Sequence, residues 1–127
     1  MSNTAFDLFS PPLVRALNDR GFLAPTDPQV QLIPVILGGK NALLMAPTGT
    51  GKTEAALLPI LDRMIRDGLP RIRGTKLLYI TPLRALNRDM LRRMTFFADR
   101  LGVRVAVRHG DTTPRERAAI TRHPPDI

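Results

Sequence analysis

Ala46-Pro47-Thr48-Gly49-Thr50-Gly51-Lys52-Thr53 is the stretch on which the fold turns. An apolar run, Ala42-Leu43-Leu44-Met45, precedes it, and an apolar-periodic run from Glu54 to Ile65 follows. Strand, glycine-rich turn and helix form the context that a phosphate-cradling loop requires. Gly49 and Gly51 allow the backbone to take positive φ and to approach an oxyanion closely. The helix that follows offers free N–H groups and the positive end of its dipole to negative charge. Lys52 is the point charge for the β- and γ-phosphates, and the Thr53 hydroxyl is the Mg²⁺ ligand. Pro47, Thr48 and Thr50 complete the loop. Its first position is Ala46 and not glycine, so only the looser Ala-or-Gly form of the pattern matches. That form arises by chance roughly once per hundred chains of this size. The residues predict a site for a nucleoside triphosphate and Mg²⁺.

Composition narrows the class. A chain of 127 residues is one domain at most, long enough for a real core. With no cysteine and two histidines, His109 and His123, disulfides and cysteine-held metals are excluded and a zinc site is disfavoured. No apolar run approaches the ~20 residues that span a bilayer, and Met1-Ser2-Asn3-Thr4 carries no basic or apolar leader pattern. The expectation is no membrane partner and a cytoplasmic location.

Charge is unevenly placed. Residues 1–70 carry six Lys/Arg and six Asp/Glu, whereas residues 71–127 carry thirteen and five, the whole net charge of +8. A basic half beside a neutral half suggests a polyanionic partner. The competing explanation is a solvated face in an arginine-preferring chain, since sixteen of the nineteen cations are arginine.

Outward from the loop, residues 1–12 read as an irregular lead-in with Phe6, Leu8 and Phe9 available for packing. Residues 13–127 read as one domain. Pro11-Pro12 sets up a helix from about Leu13 to Arg20, stopped by Gly21. Asp27 reads as an N-cap with Pro28 at the first helical position, opening a helix that ends at Gly38-Gly39. Pro34 there, and Pro59 in the helix from Lys52 to about Arg66, predict local bends.

Lys76 to Ile80 predicts a buried parallel strand. A helix follows from about Arg84 to Leu101, with Leu86, Met90, Leu91, Met94 and Phe97 at core spacing. Val103 to Arg108 predicts a third strand, toward an edge. Thr113-Pro114-Arg115-Glu116 is a capping box that opens a helix to about Arg122. Pro124 to Ile127 leads into another strand. Strands alternating with helices in this order predict an α/β fold, a parallel sheet with helices on both faces.

Three stretches together resemble the superfamily 2 helicases of DEAD/DEAH type. They are Pro25-Thr26-x-x-Gln29 with Ile33-Pro34, the loop Ala46 to Thr53, and Thr81-Pro82-Leu83-Arg84-Ala85-Leu86. Glu54-Ala55-Ala56, Pro-Leu-Arg-Ala-Leu-Asn and His109-Gly110-Asp111-Thr112 with Glu116-Arg117 look most like the large helicase-related (Lhr-like) group.

The resemblance implies a RecA-like P-loop NTPase lobe using ATP and Mg²⁺. It implies adenine reading by Gln29, whose amide donates and accepts, with Phe22 or Phe9 stacking on the base. It implies a DNA or RNA strand held by its phosphates on Thr81, Pro82 and Arg84, where a strand ends and a helix begins. Gly110 and Asp111 would line the same path.

The family's Asp-Glu-x-His motif and second RecA-like lobe do not occur before Ile127. The expectation is therefore a lobe truncated before its acidic motif, partnered by a second lobe of the same longer chain and inactive alone. Two further enzymes share the phosphate loop, a double-strand DNA translocase and a small-molecule kinase. The kinase has no use for Gln29 or for Thr81 to Arg84. A third reading is a basic binding module without catalysis.

Overall fold

The computed structural model describes residues 4–82, 85 and 88–127. It divides into two compact units, Met1–Asp67 and Gly68–Ile127.

In the first unit a 3-10 turn, Ala5–Leu8, precedes helices α1 (Pro11–Asp19), α2 (Asp27–Leu37) and α3 (Lys52–Arg66). Each boundary has a local cause. Pro11 and Pro12 occupy the opening turn of α1, where a missing N–H costs nothing. Gly21 ends it with φ of 82°; the Phe22 and Gly21 N–H groups donate to the Leu17 and Asn18 carbonyls, a Schellman stop. The cap of α2 is Thr26, one residue before the expected Asp27, because the Gln29 side chain accepts from the Thr26 N–H at 3.0 Å. Both α2 and α3 run through their internal prolines, Pro34 and Pro59.

Leu13, Leu17, Ile33, Leu58 and Leu61 form the buried centre of this unit, with Phe6 and Phe9 added from the lead-in. Leu8 stays outside, half-exposed. Asp62 lies fully buried beside that core. It accepts from the Ser10 N–H at 2.7 Å and pairs with Arg66 Nε at 2.7 Å. Arg66 also donates to Ser10 Oγ and to the Leu8 carbonyl. This aspartate pins the lead-in to α3.

In the second unit a 3-10 turn, Leu69–Arg71, leads to α4 (Arg88–Arg100) and α5 (Pro114–Arg122). Met90, Met94, Phe97 and Ala98 bury one face of α4, which takes in three residues of the predicted stripe, while Leu91 is half-buried. Leu83, Arg84, Leu86 and Asn87, where the sequence starts this helix, lie outside the described residues. Thr113 caps α5 by accepting from the Glu116 N–H, and Glu116 accepts in return from the Thr113 N–H.

The predicted strands differ from expectation. Among the described residues no strand is assigned. Leu43 and Met45 are 86% and 85% exposed, and Leu78 and Ile80 are 76% and 85% exposed, where a buried sheet requires them covered. A helix closes its hydrogen bonds within itself; a parallel strand takes every one from segments remote in sequence.

Among the described residues, those near the C-terminus supply such pairing. The Lys76 and Leu77 N–H groups donate to the Asp126 carbonyl. The Asp126 and Ile127 N–H groups donate to the Arg104 carbonyl, and the Ala106 N–H to the Ile127 carbonyl. The 104–106 and 126–127 segments therefore run in the same direction. Among the described residues no helix is long and apolar enough to cross a membrane.

Candidate nucleotide and nucleic-acid sites

The glycine-rich loop is held from outside by two side chains of the α2 entrance. Thr26 Oγ1 donates to the Thr50 carbonyl at 2.7 Å, and Gln29 Nε2 donates to the Gly51 carbonyl at 3.2 Å. Thr50 Oγ1 closes the loop on itself by donating to the Pro47 carbonyl at 2.6 Å. Gly49 and Gly51 have φ of 80° and 76°. At Gly49 nothing lies within 4 Å of a would-be Cβ, so backbone conformation alone demands glycine there. At Gly51 a Cβ would also come within 2.4 Å of Gln29 Nε2.

Gly51 is the residue before α3, so the helix starts at Lys52 with its first N–H groups at the loop. The side chain of Lys52 is exposed, Thr53 is half-buried, and Pro47, Thr48 and Gly49 lie at the surface. A concave turn with two left-handed glycines, a helix N-terminus and an exposed lysine fits a phosphate chain. The Thr53 hydroxyl fits the divalent cation that accompanies it.

Gln29 is 4% exposed, and both of its polar ends are engaged, one with Thr26 and one with Gly51. Sequence reasoning singled out Gln29 for a base and missed its grip on the loop. The Thr-x-x-Gln spacing of a capping box was the available signal. Phe9 is buried, its ring 6.1 Å from that of Phe6, and Phe22 is half-exposed.

In the second unit, Thr81 lines a cavity of about 360 Å³ together with Arg108 and His109. Pro82 is exposed, and Arg84 lies outside the described residues. Gly110 and Asp111 are exposed on the turn that follows His109. That turn is tied tightly. The His109 N–H donates to Thr112 Oγ1 at 2.8 Å, and the Asp111 N–H to His109 Nδ1 at 3.1 Å. Arg117 donates from Nε to the Thr112 carbonyl and from Nη2 to the His109 carbonyl, at 3.1 and 3.2 Å. The structure thus brings Thr81 and His109 to one cavity, with Gly110 and Asp111 on the adjoining turn. Arg117 organises that turn.

Residues 26–127 match the DEAD/DEAH box helicase family. The chain is 38% identical to the Lhr helicase/uracil glycosylase of Escherichia coli (strain K12), over 95% of this chain and 9% of that protein. It is 37% identical to the ATP-dependent helicase Lhr-Core of Sulfolobus acidocaldarius, over 94% of this chain and 15% of that protein. Among solved structures, Mycobacterium smegmatis helicase Lhr bound to ssDNA and AMP-PNP superposes with a TM-score of 0.78 at 36% identity. That match covers 98% of this chain and 17% of the other. The chain therefore spans a small part of its relatives' length. With the loop, its Thr26–Gln29 clasp and the Thr81 segment all inside the matched residues, the chain belongs to the DEAD/DEAH box helicase family.

Proposed function

We propose that this chain supplies the ATP-binding loop and part of the nucleic-acid surface of a superfamily 2 helicase. The carrying observation is the clasp of Thr26 and Gln29 on Thr50 and Gly51, which ties the entrance of α2 to the glycine-rich loop. A P-loop enzyme acting on a small molecule needs no such upstream glutamine.

In this reading the N–H groups at Gly49 to Thr53 hold the phosphates, with Pro47, Thr48 and Thr50 shaping the turn. Lys52 neutralises the terminal phosphates, and Thr53 holds Mg²⁺. Bound Mg²⁺ supplies charge neutralisation at the phosphates being separated. Gln29 reads adenine from beside the loop that it grips, with half-exposed Phe22 and not buried Phe9 as its aromatic companion. Thr81 and Arg84 contact the phosphates of one strand, which fixes position without reading sequence, and Pro82, Gly110 and Asp111 line the same path.

The RecA-like arrangement proposed here is a parallel sheet with helices on both faces. Segments 42–45, 76–80 and 103–108 are its strands once their remote partners are paired. A second RecA-like lobe and an acidic motif complete the motor. The 127 residues alone neither hydrolyse ATP nor unwind. The solved relative bound to ssDNA and AMP-PNP supports both ligand classes.

The deciding experiment is ATPase activity of the motor carrying both lobes, with and without single-stranded DNA or RNA. Nucleic-acid-stimulated hydrolysis abolished by Lys52→Ala is expected. Hydrolysis indifferent to nucleic acid would overturn the reading.

A further inference from the structure

A second, basic cavity lies in the Gly68–Ile127 unit, at the other end of the 76–81 segment from Thr81. Its volume is about 390 Å³, and Arg71, Arg73, Lys76, Arg104 and Arg122 line it against a single carboxylate, Asp126. That carboxylate is already committed: it pairs with Lys76 Nζ at 2.6 Å and accepts from the Arg104 N–H at 2.9 Å. Among the described residues lining the concavity, five cations therefore face one carboxylate, an excess of four positive charges.

They come from three separate stretches of chain, the 71–76 loop, residue 104 and the end of α5, so sequence proximity does not explain the convergence. Two are fixed by the α5 terminus: Arg73 Nη2 donates to the Arg122 carbonyl at 3.0 Å, and Arg104 Nη2 to the His123 carbonyl at 3.2 Å. Each of these guanidiniums has five N–H donors, so most remain beyond the bond that orients it. Anchored, planar forks around a polar hollow suit phosphate oxygens.

We propose that this cavity is a second nucleic-acid contact, taking the phosphodiester backbone of a segment away from the strand at Thr81. One free phosphate would leave most of the four arginines uncompensated, whereas a polynucleotide presents a charge every ~3.4 Å along each strand. The basic cavity is lined by Lys76 and Arg104 and the one at Thr81 by Arg108 and His109, so the two contacts use different side chains. The proposal rests on nucleic acid being the partner, as proposed above.

The test uses the full motor and a fluorescein-labelled oligothymidine, with anisotropy titrations across a salt series. The variant is Arg71→Gln with Arg122→Gln, whose side chains make no fold-holding bond described above. Binding should weaken several-fold at low salt. The slope of log K against log salt should shrink by about 1.4, at ~0.7 for each lost phosphate contact on a single strand. The double change Arg71→Lys with Arg122→Lys should keep the wild-type slope.

Wild-type affinity and slope in the Gln variant would overturn the proposal. So would loss of tripolyphosphate binding with oligothymidine binding intact, which would make the cavity a free-phosphate site. Failure of the wild-type motor to bind oligothymidine and oligouridine alike would instead sink the nucleic-acid reading itself.

Discussion

The Nε2 of Gln29 sits 3.2 Å from the Gly51 carbonyl oxygen, at a residue whose own Cβ position would fall 2.4 Å from that same nitrogen. Loop and glutamine thus fit only while position 51 is bare. Gly51→Ala must hold a Cβ at φ of 76°, which costs about 1–2 kcal/mol for an L-residue. It must also push Gln29 away from the carbonyl. The expected outcome is loss of most nucleotide binding, read by titration with a fluorescent ATP analogue. Gly49→Ala meets the backbone cost without the collision, so it should retain more binding; equal losses would contradict the clasp.

Gln29→Glu separates the two bonds of that side chain. A carboxylate still accepts from the Thr26 N–H but cannot donate to the Gly51 carbonyl, and it sets negative charge against that oxygen. About 1–3 kcal/mol of stability should go, the cost of an unmatched buried polar contact. Thermal unfolding measures that loss. Thr26→Val removes the solvent-exposed Thr50 bond together with the α2 cap and should cost about 1 kcal/mol, less than the change at Gln29. The opposite ranking would assign the loop's support to Thr26.

Asp62→Ala tests the fully buried aspartate that binds Ser10 and Arg66. The change strands the Ser10 N–H and empties a site that the core surrounds. A loss of about 2–3 kcal/mol is expected, which for a unit of this size lowers Tm by roughly 10–20 °C. Arg66→Ala leaves the buried Asp62 carboxylate without its cation and frees Ser10 Oγ and the Leu8 carbonyl, so a comparable loss of about 2–3 kcal/mol is expected. A loss under about 1 kcal/mol would mean that the Ser10 backbone contact alone holds the lead-in.

What could be read from sequence follows the range of the forces involved. Gly21, Thr113 with Glu116, and the Met90–Met94–Phe97 stripe act within a few residues, and the corresponding helices form, α1 from Pro11 rather than Leu13 and α4 over Arg88–Arg100 of its predicted span. The cap of α2 falls one position before the predicted Asp27 because Asp27 and Thr26 are both good caps and the reach of Gln29 decides between them. Leu78 and Ile80 read as buried because their burial presumes neighbours from distant chain, which the sequence names only by periodicity. Asp62 carried no sequence signal at all: its acceptor role depends on Ser10, fifty-two residues away. The phosphate loop was legible for the opposite reason, since its glycines, lysine and threonine act within eight consecutive residues.

The Lys76–Asp126 pair gives the second unit a pH signature. Burial by itself would raise the Asp126 pKa. The Arg104 backbone N–H, the Lys76 hydrogen bond and the charges of Lys76 and Arg104 outweigh it and hold the group below its ordinary 3.8. A carboxyl lowered by folding stabilises the native state fully at pH values above its unfolded pKa. That stabilisation fades as pH falls from there through the lowered native value, because the unfolded chain then binds the proton more readily. Asp126→Asn should therefore be less stable than wild type near neutrality, and the gap should narrow steadily on acidification below about pH 4. Denaturant melts across that range, followed through a probe in the Gly68–Ile127 unit, measure it. A gap that stays constant with pH would show that the carboxylate's charge contributes nothing and that only its hydrogen-bonding shape matters.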